Sequence, residues 1–272
     1  MNVNELFGIL QAFTTQYSGN PEVIPFFEEI HRLGLIGMGV GGGSNVEHSG
    51  ELGALEYVKK KLSHLPSFTV FDVGANVGAY SLKVRNLLGE DVEIYAFEPS
   101  LVTFQTLGNN LLGKRIHLHN FALSAESGTV TLFSDSENSG LASLAKRKLD
   151  HFNIHMNQTE QVSVRTIDDF CIENSIDKIG LLKVDVEGWE KEVFKGASRM
   201  LSDGAISFIQ FEFGGCNIDT KAFFQDFWYM FKDDFYFYRI VSGGLFPINS
   251  YKEEYECFIT TNYLLESKSM DI

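Results

Sequence analysis

The segment "FDVGANVGAYSL" (71–82) ends an apolar run with an acid and two glycines, Asp72, Gly74 and Gly78. A glycine directly after a strand lets the backbone approach a ligand, and the second lets the following helix pack on the strand. Asp72 can accept a hydrogen bond from the turn or the ligand. Asn76 stands at the place of the second glycine of G-x-G-x-x-G, so the segment does not match the dinucleotide fingerprint. It predicts a loop that binds a different cofactor, and the alternative is a merely tight turn.

Glu98 ends the next apolar run, "VEIYAF" (92–97), and lies 24 residues after Gly74. An acid at this place can accept hydrogen bonds from both ribose hydroxyls of an adenosine group. Taken alone, an acid at a strand end is more often a cap. Together with the glycine turn, Glu98 predicts a cofactor site.

Acids also end the runs "GLLKVDV" and "ISFIQFEF". Asp185 and Glu187 are two residues apart, so strand alternation predicts one face for both, with the neighbouring valines pointing away. Ligands of open α/β sheets bind at the carboxyl ends of the strands, so Asp185, Glu187 and Glu212 are the candidate catalytic residues. The alternative for Glu187, as for Glu190, is the ordinary preference of acids for a helix N-terminus.

An α/β fold has to position these residues. From residue 48 on, short apolar runs alternate with amphipathic helical patterns, which is typical of βαβ units. We expect one doubly wound sheet with five parallel strands and an antiparallel hairpin formed by "FYFYRIV" (235–241) and "ECFITT" (256–261). A further strand, "GTVTLF" (128–133), precedes a polar stretch at 134–161, and loops of such length are usually functional or disordered.

Residues 1–47 are predicted to form a helical N-terminal annex with a glycine-rich connecting loop, ahead of a catalytic domain at 48–272. "GMGVGG" (37–42) formally matches G-x-G-x-x-G. No buried strand leads into it and no helix leaves it directly, so the match is accidental. We interpret the glycine-rich segment instead as a mobile entrance loop.

The net charge of −14 makes nucleic acid an unfavourable partner, since such binding relies on Lys and Arg at phosphates. Three cysteines without C-x-x-C spacing predict neither a disulfide framework nor a zinc site. We expect no membrane span and a cytoplasmic location, because there is no apolar run of about 18 residues and no basic leader.

The segments "FDVGANVGAYSL", "AFEPS", "NFALS", "VRTIDDF" and "LLKVDVEGWEKEVFKGA" resemble the FkbM-type family of S-adenosylmethionine-dependent methyltransferases over roughly residues 48–213. The resemblance implies a Rossmann-like class I sheet of seven strands with a reversed hairpin. It also implies methyl transfer to oxygen in small molecules or glycans. By resemblance, the methionine-side loop consists of Asp72, Gly74, Asn76 and Gly78, and Glu98 holds the ribose.

The same resemblance assigns further residues. It places "NFA" at the adenine ring, where Asn120 or a backbone amide near Ala122 makes the polar contact. It places Glu51 near the methionine end of the cofactor, although an acid in the first turn of a helix is also favoured by the helix dipole. In related catechol-type enzymes an acid at the place of Asp185 binds a divalent metal or lies near the reacting hydroxyl, so Asp185 and Glu212 are candidate metal ligands.

The predicted function is therefore O-methylation of a sugar, glycan or small natural product. An N-methyltransferase and a nicotinamide-dependent oxidoreductase are the alternatives. An oxidoreductase would require a third glycine in the turn after the first strand, and this sequence lacks it. His48, His151 or His155 is an alternative general base. The aromatic run 223–231 is predicted core, with a substrate wall or a homo-oligomer interface as alternatives.

Overall fold

The computed structural model describes residues 1–42 and 49–271. The chain divides into two units, Met1–Val40 and Gly41–Ile272. The domain boundary expected between residues 47 and 48 lies outside the described residues, as do residues 43–48 of the glycine-rich entrance loop with His48, so these predictions stay open.

Helices and strands alternate along the second unit, as the sequence predicts. The helices are α1 (Val3–Tyr17), α2 (Ile24–Gly37), α3 (Glu51–Lys61), α4 (Ala79–Leu88), α5 (Leu101–Asn110), α6 (Ile167–Glu173), α7 (Glu190–Lys195), α8 (Ser198–Ser202), α9 (Cys216–Thr220) and α10 (Phe224–Phe231). The strands are β1 (Thr69–Val73), β2 (Glu93–Phe97), β3 (Ile116–His119), β4 (Ala122–Leu123), β5 (Gly128–Ser134), β6 (Gln158–Arg165), β7 (Ile179–Val184), β8 (Ile206–Phe213), β9 (Phe235–Val241), β10 (Gly244–Ile248) and β11 (Thr261–Ser267).

The first unit contains the two helices expected near the N-terminus. Asn2 and Glu5 form a capping box at the start of α1, where each side chain accepts a hydrogen bond from the other residue's backbone N–H, at 2.9 and 3.0 Å. The second helix runs to Gly37, so "GMGVGG" begins at a helix end. No strand leads into the motif, and its match to the dinucleotide fingerprint is accidental, as predicted.

The central sheet has eight strands in the order β10-β9-β11-β8-β7-β1-β2-β3. The run from β8 to β3 is parallel, whereas β11 is antiparallel to both β8 and β9. Helices cover both faces: Phe71 packs edge-on against Phe170 of α6, while Val70 belongs to a cluster with Val58 and Val84 of α3 and α4. A parallel sheet buried on both sides confirms the doubly wound α/β prediction.

The C-terminal antiparallel segment differs from its prediction in two respects. Its second strand is not 256–261: β11 begins at Thr261 and inserts between β8 and β9. An additional strand, β10, follows β9 after a two-residue turn and raises the strand count from seven to eight. It contains Pro247, which lacks a backbone donor and is tolerated because β10 is an edge strand.

A small second sheet, β4-β6-β5, lies between β3 and β7 in the chain. The predicted strand at 128–133 is present as β5, antiparallel to β6. The polar stretch after it contains no strand until Gln158 and forms a long connection over residues 135–157. We call residues 135–149 of this connection the covering loop.

Candidate functional site

A cavity of about 400 Å³ opens at the carboxyl ends of β1, β2, β7 and β8, where an open α/β sheet binds its ligands. Seven of the eleven predicted site residues line it: Gly74, Asn76, Glu98, Ala122, Asp185, Glu187 and Glu212. Asp72, Gly78, Glu51 and Asn120 are not among the lining residues. The adenine contact predicted for Asn120 and the ligand contacts predicted for the other three stay predictions.

Gly74 has a left-handed backbone with φ +81°, and a Cβ there would lie 1.9 Å from the carbonyl oxygen of Asp185. The glycine therefore lets the turn after β1 pass directly beside the turn after β7. Gly78, at φ +90°, lies against Leu107 of α5 and Leu111 directly after this helix, so it permits helix-to-helix packing rather than the helix-to-strand packing that we expected.

Asp72 is fully buried behind the glycine turn and accepts a hydrogen bond from Ser81 of α4 at 2.7 Å. The Lys183 ammonium lies 3.6 Å from Asp72 and 3.1 Å from Asp185. Glu51 accepts a hydrogen bond from Gln210 at 2.7 Å, and burial raises its pKa. The buried lysine thus holds the ends of β1 and β7 together through two carboxylates.

Glu98 uses both carboxylate oxygens to order the cavity wall. Its oxygens accept hydrogen bonds from the backbone N–H groups of Asn76 and Ser100, at 3.0 and 2.9 Å. Burial raises the pKa of Glu98 to about 7. Asn120 donates to the backbone carbonyls of Glu98 and Pro99, both at 2.9 Å, and so fixes the turn that presents Glu98. Each oxygen of Glu98 has a further lone pair for a ligand hydroxyl.

The three candidate catalytic acids come together at one end of the cavity. Because β7 ends at Val184, strand alternation does not extend to Glu187, and Val186 also lines the cavity instead of pointing away. Glu187 adopts φ +55° and forms an ion pair with Arg147. Burial and the neighbouring Asp185 raise the pKa of Glu187 to about 8, and the same two causes raise the pKa of Glu212 well above its ordinary value.

Glu190 has a structural role, as the helix-terminus interpretation expected. It is fully buried and accepts hydrogen bonds from the backbone N–H groups of Val186 and Gly188 and from the Asn217 side chain, at 3.2, 3.0 and 3.1 Å. These bonds hold the turn that carries Glu187.

The covering loop closes the other side of the cavity. Asn76 donates to the Ser139 carbonyl and Ser143 donates to the Glu187 carbonyl, both at 2.9 Å. The loop contributes Arg147 as well as apolar walls from Leu141 and Leu144. Sequence reasoning did not identify these residues; the length of the polar stretch was the available signal.

Other lining residues also escaped the sequence analysis. Trp189 donates its indole N–H to Ser124 at 3.0 Å, and Cys216 lies at the start of α9. A group of potential metal ligands joins Cys216 with Glu187 and Glu212, with ligand atoms within 4.8 Å of one another. Asp185 is not in that group, so the metal role predicted for Asp185 with Glu212 stays a prediction.

Two of the three alternative general bases, His151 and His155, are not lining residues of the cavity. His155 contacts Asp150 at 3.0 Å on the exposed surface, and His151 packs against Phe152. Neither histidine is among the residues that line the cavity, and His48 lies outside the described residues.

The glycine turn, the strand-end acids and the sheet order agree with one known family. Residues 72–237 match the model of the methyltransferase FkbM domain. The chain belongs to this methyltransferase family.

Among curated relatives, the "31-O-demethyl-FK506 methyltransferase FkbM" of Streptomyces tacrolimicus is 30% identical over 165 residues, 52% of this chain and 63% of the relative. The "hexuronic acid methyltransferase AglP" of Haloferax volcanii is 30% identical over 138 residues, 48% of this chain and 51% of the relative. The chain therefore spans less than two-thirds of the length of these relatives.

A crystal structure of an FkbM methyltransferase from Methylobacillus flagellatus superposes with a TM-score of 0.46 at 18% identity, covering 77% of this chain and 50% of that one. Within the described part of the chain, no helix is both long and apolar enough to cross a membrane. The cytoplasmic location stays a prediction.

Proposed function

We propose that this FkbM-family methyltransferase uses S-adenosylmethionine to methylate a hydroxyl of a sugar, glycan or small natural product. One observation carries the proposal: a single cavity joins the Gly74 turn and Glu98 to Asp185, Glu187 and Glu212. The first pair suits an adenosine-containing cofactor, and the acids suit a reaction in which a proton is removed.

The residues present fit the proposed cofactor. Glu98 has free acceptor positions for two ribose hydroxyls, and the cavity wall between Phe97 and Leu123 is apolar, as a purine ring requires. A volume of about 400 Å³ falls within the range of small-molecule sites. Glu51 and Asp72 would act from behind this wall, through Gln210 and Lys183.

When bound, S-adenosylmethionine supplies a methyl group on a sulfonium, whose sulfur keeps the C–S electron pair as the acceptor oxygen forms the new C–O bond. The protein has to align the acceptor and take its proton. We assign the proton to a carboxylate oxygen of Asp185, which Lys183 orients at 3.1 Å. Alignment can lower such a barrier by roughly 7–11 kcal/mol, and a positioned base adds about 10²–10⁴-fold.

The walls at the acidic end of the cavity and the relatives support the proposed acceptor class. Leu141, Leu144 and Trp189 provide apolar surface beside the carboxylates, which suits a sugar face or a natural-product ring. The names of the two relatives state 31-O-demethyl-FK506 and a hexuronic acid as their substrates. The oxygen in the first name supports oxygen as the methylated atom.

Thermal unfolding with added ligand tests the cofactor. S-adenosylmethionine or its demethylated product, at 100 times its dissociation constant, should add about 2.7 kcal/mol of stability. Stabilisation by NAD and by neither S-adenosyl compound would identify an oxidoreductase instead. A labelled-methyl screen across sugars, glycan intermediates and polyketide-like hydroxyls would then identify the acceptor, and labelling of amines alone would support N-methylation.

A divalent metal at Asp185 and Glu212 is a separate proposal with its own test. Carboxylate oxygens suit Mg²⁺, whereas the thiol of Cys216 beside two acids would suit a softer ion such as Zn²⁺. Activity that disappears on chelation and returns with Mg²⁺ would support the first set. Unchanged activity after chelation would exclude both metal sites.

A further inference from the structure

The first unit of the chain, Met1–Val40, exposes an unusual amount of apolar surface. Among the described residues, 23 large apolar side chains are exposed, and ten of them belong to residues 1–38. These ten are exposed by roughly 60% on average. At roughly 150–200 Å² for a whole side chain of this size, they present on the order of 1,000 Å² to solvent. Such a concentration of apolar surface in so short a segment marks an interaction surface.

The first helix, α1, has an apolar stripe along its whole length. None of its 15 residues is buried. One set of its apolar residues recurs at alternating intervals of three and four positions, the a/d spacing of helices that pack against other helices. This set, the α1 stripe, consists of Val3, Leu6, Leu10, Phe13 and Tyr17. The spacing predicts a helical partner for α1.

The second helix, α2, has a stripe of the same kind. Phe26, Ile30 and Leu33, the α2 stripe, are separated by intervals of four and three positions. The two helices contact each other through aromatic rings near their connection, where the ring centroids of Phe13 and Phe26 are 5.1 Å apart. At the other end of the α1 stripe, Val3 is 82% exposed. Each helix therefore covers only part of the other's stripe.

Two helices of this length bury too little surface to be stable by themselves. Chains shorter than about 40 residues usually need disulfides, a metal or oligomerisation to fold. The cysteines are Cys171, Cys216 and Cys257, so none belongs to the first unit. Residues 1–40, all of which the structure describes, contain no group of potential metal ligands. Association with further helices remains as the source of stability.

The charge of the first unit argues against a membrane surface as the partner. Residues 1–40 contain four glutamates, one arginine and neither lysine nor aspartate, which gives a formal charge of −3. Helices that lie on membranes usually have Lys and Arg on their polar face, which anionic lipids attract. The a/d spacing and the acidic polar faces suit a protein helix instead.

We propose that the chain forms a homodimer through its first unit, in which the α1 and α2 stripes of two copies pack together as a four-helix bundle. A second copy presents the same stripes, as the self-complementary interface of a twofold dimer requires. A specific interface takes about 800 Å² from each partner, and the exposed apolar surface of the unit is of that size. The proposal is independent of the catalytic assignment, since no residue of the first unit lines the described cavity.

Sedimentation equilibrium of the full chain tests the proposal. We expect wild type at about 10 µM to have twice the monomer mass of 30.6 kDa. Leu6→Glu and, separately, Leu33→Lys introduce a charge into a stripe and should raise the dissociation constant at least about 100-fold, because burial of an unpaired charge is costly. Each substitution suits its helix end, since acids are favoured near the start of a helix and cations near its end.

Leu112→Glu is the matched control for Leu6→Glu. Leu112 is an exposed leucine of the second unit, so this variant should stay dimeric. The two tryptophans, Trp189 and Trp228, also belong to the second unit, and unchanged tryptophan fluorescence in the stripe variants would show that this unit stays folded.

Circular dichroism gives a second readout. Helices of 14 and 15 residues are marginal in water without a partner, so the helical signal of wild type should fall when the protein is diluted below its dissociation constant. Leu6→Glu should show this lower signal at every concentration.

A monomeric wild type, or dimers that survive both stripe substitutions, would overturn the proposal. A monomer that floats with vesicles of phosphatidylcholine and phosphatidylglycerol would overturn it in favour of a membrane surface.

Discussion

At the scale of single residues, the site consists of carboxylates that differ in their partners. Glu98 faces backbone N–H donors, Asp185 a lysine and Glu187 an arginine. Donors and cations at short range favour the ionised form, whereas burial opposes it. In the proposed function, the same residue type would accept ribose hydroxyls in one place and a proton in another.

Glu98→Gln should weaken binding of S-adenosylmethionine by about tenfold or more, because the new amide N–H₂ would face a backbone donor and lose one acceptor for the ribose. Calorimetry measures the dissociation constant. Glu160→Gln is the control, since Glu160 also accepts a backbone N–H bond, from Leu101 at 3.0 Å, but is not a lining residue. Equal losses in the two variants would contradict the ribose assignment.

Asp185→Asn should lower the rate of methyl transfer by about 10²–10⁴-fold while the cofactor affinity changes little, because the amide cannot accept the hydroxyl proton. Single-turnover labelling with the identified acceptor measures the rate. Asp226→Asn, which removes an ion pair with Lys191 outside the cavity lining, should leave it unchanged. A small effect of Asp185→Asn would point to another base or to a nitrogen acceptor.

At the scale of elements, strand ends and turns place the acids. The turn after β1 and the turn after β7 are in contact at Gly74, so the proposed cofactor side and the proposed reaction side share one backbone contact. The covering loop completes the site through bonds to Asn76 and to Glu187. A change in either turn should therefore affect both functions.

Gly74→Ala should destabilise the fold markedly more than Gly113→Ala. Both glycines have a positive φ, +81° and +74°, so both variants suffer backbone strain of about 1–2 kcal/mol. A methyl group at Gly113 meets nothing within 4 Å, whereas at Gly74 it collides with the Asp185 carbonyl. Urea unfolding measures the loss of stability in both variants. Equal losses would show that the close contact between Gly74 and the Asp185 carbonyl does not affect stability.

At the scale of the whole molecule, several buried acids bind protons more tightly in the folded protein than in the unfolded chain. The pKa values of Glu98 and Glu190 are raised to about 7 and that of Glu187 to about 8, in each case chiefly by burial. Burial lowers the pKa of His119 to about 4. This shift has the opposite effect on the pH dependence of stability, but only at pH values below the ordinary pKa of histidine. Between neutral and mildly alkaline pH, the acids therefore determine whether stability rises or falls with pH.

The free energy of unfolding should therefore fall as the pH rises from about 6.5 to about 8.5, since stability decreases with pH where the folded state holds more protons. Urea unfolding at several pH values in this window measures the slope. Glu187→Gln removes one of the groups and should make the slope shallower above about pH 7.5. A stability that rises with pH in wild type would contradict these proton affinities.

The glycine turn, Glu98 and the strand-end acids could be recognised in the sequence because each depends on a few neighbouring residues at a strand end. The parallel order of β1, β2, β7 and β8 follows from the βαβ pattern, and that order alone brings their ends together. The C-terminal strands were harder to place, because an edge strand with a proline and an inserted strand have no local signature.

The sequence by itself determined the family, the sheet and the acids that line the cavity, because these depend on local pattern and spacing. Only the tertiary structure decided which partner each acid has. Arg147 reaches Glu187 across 40 residues and Gln210 reaches Glu51 across 159. Charge compensation depends on distances in space, and so these pairs could be read only from the folded chain.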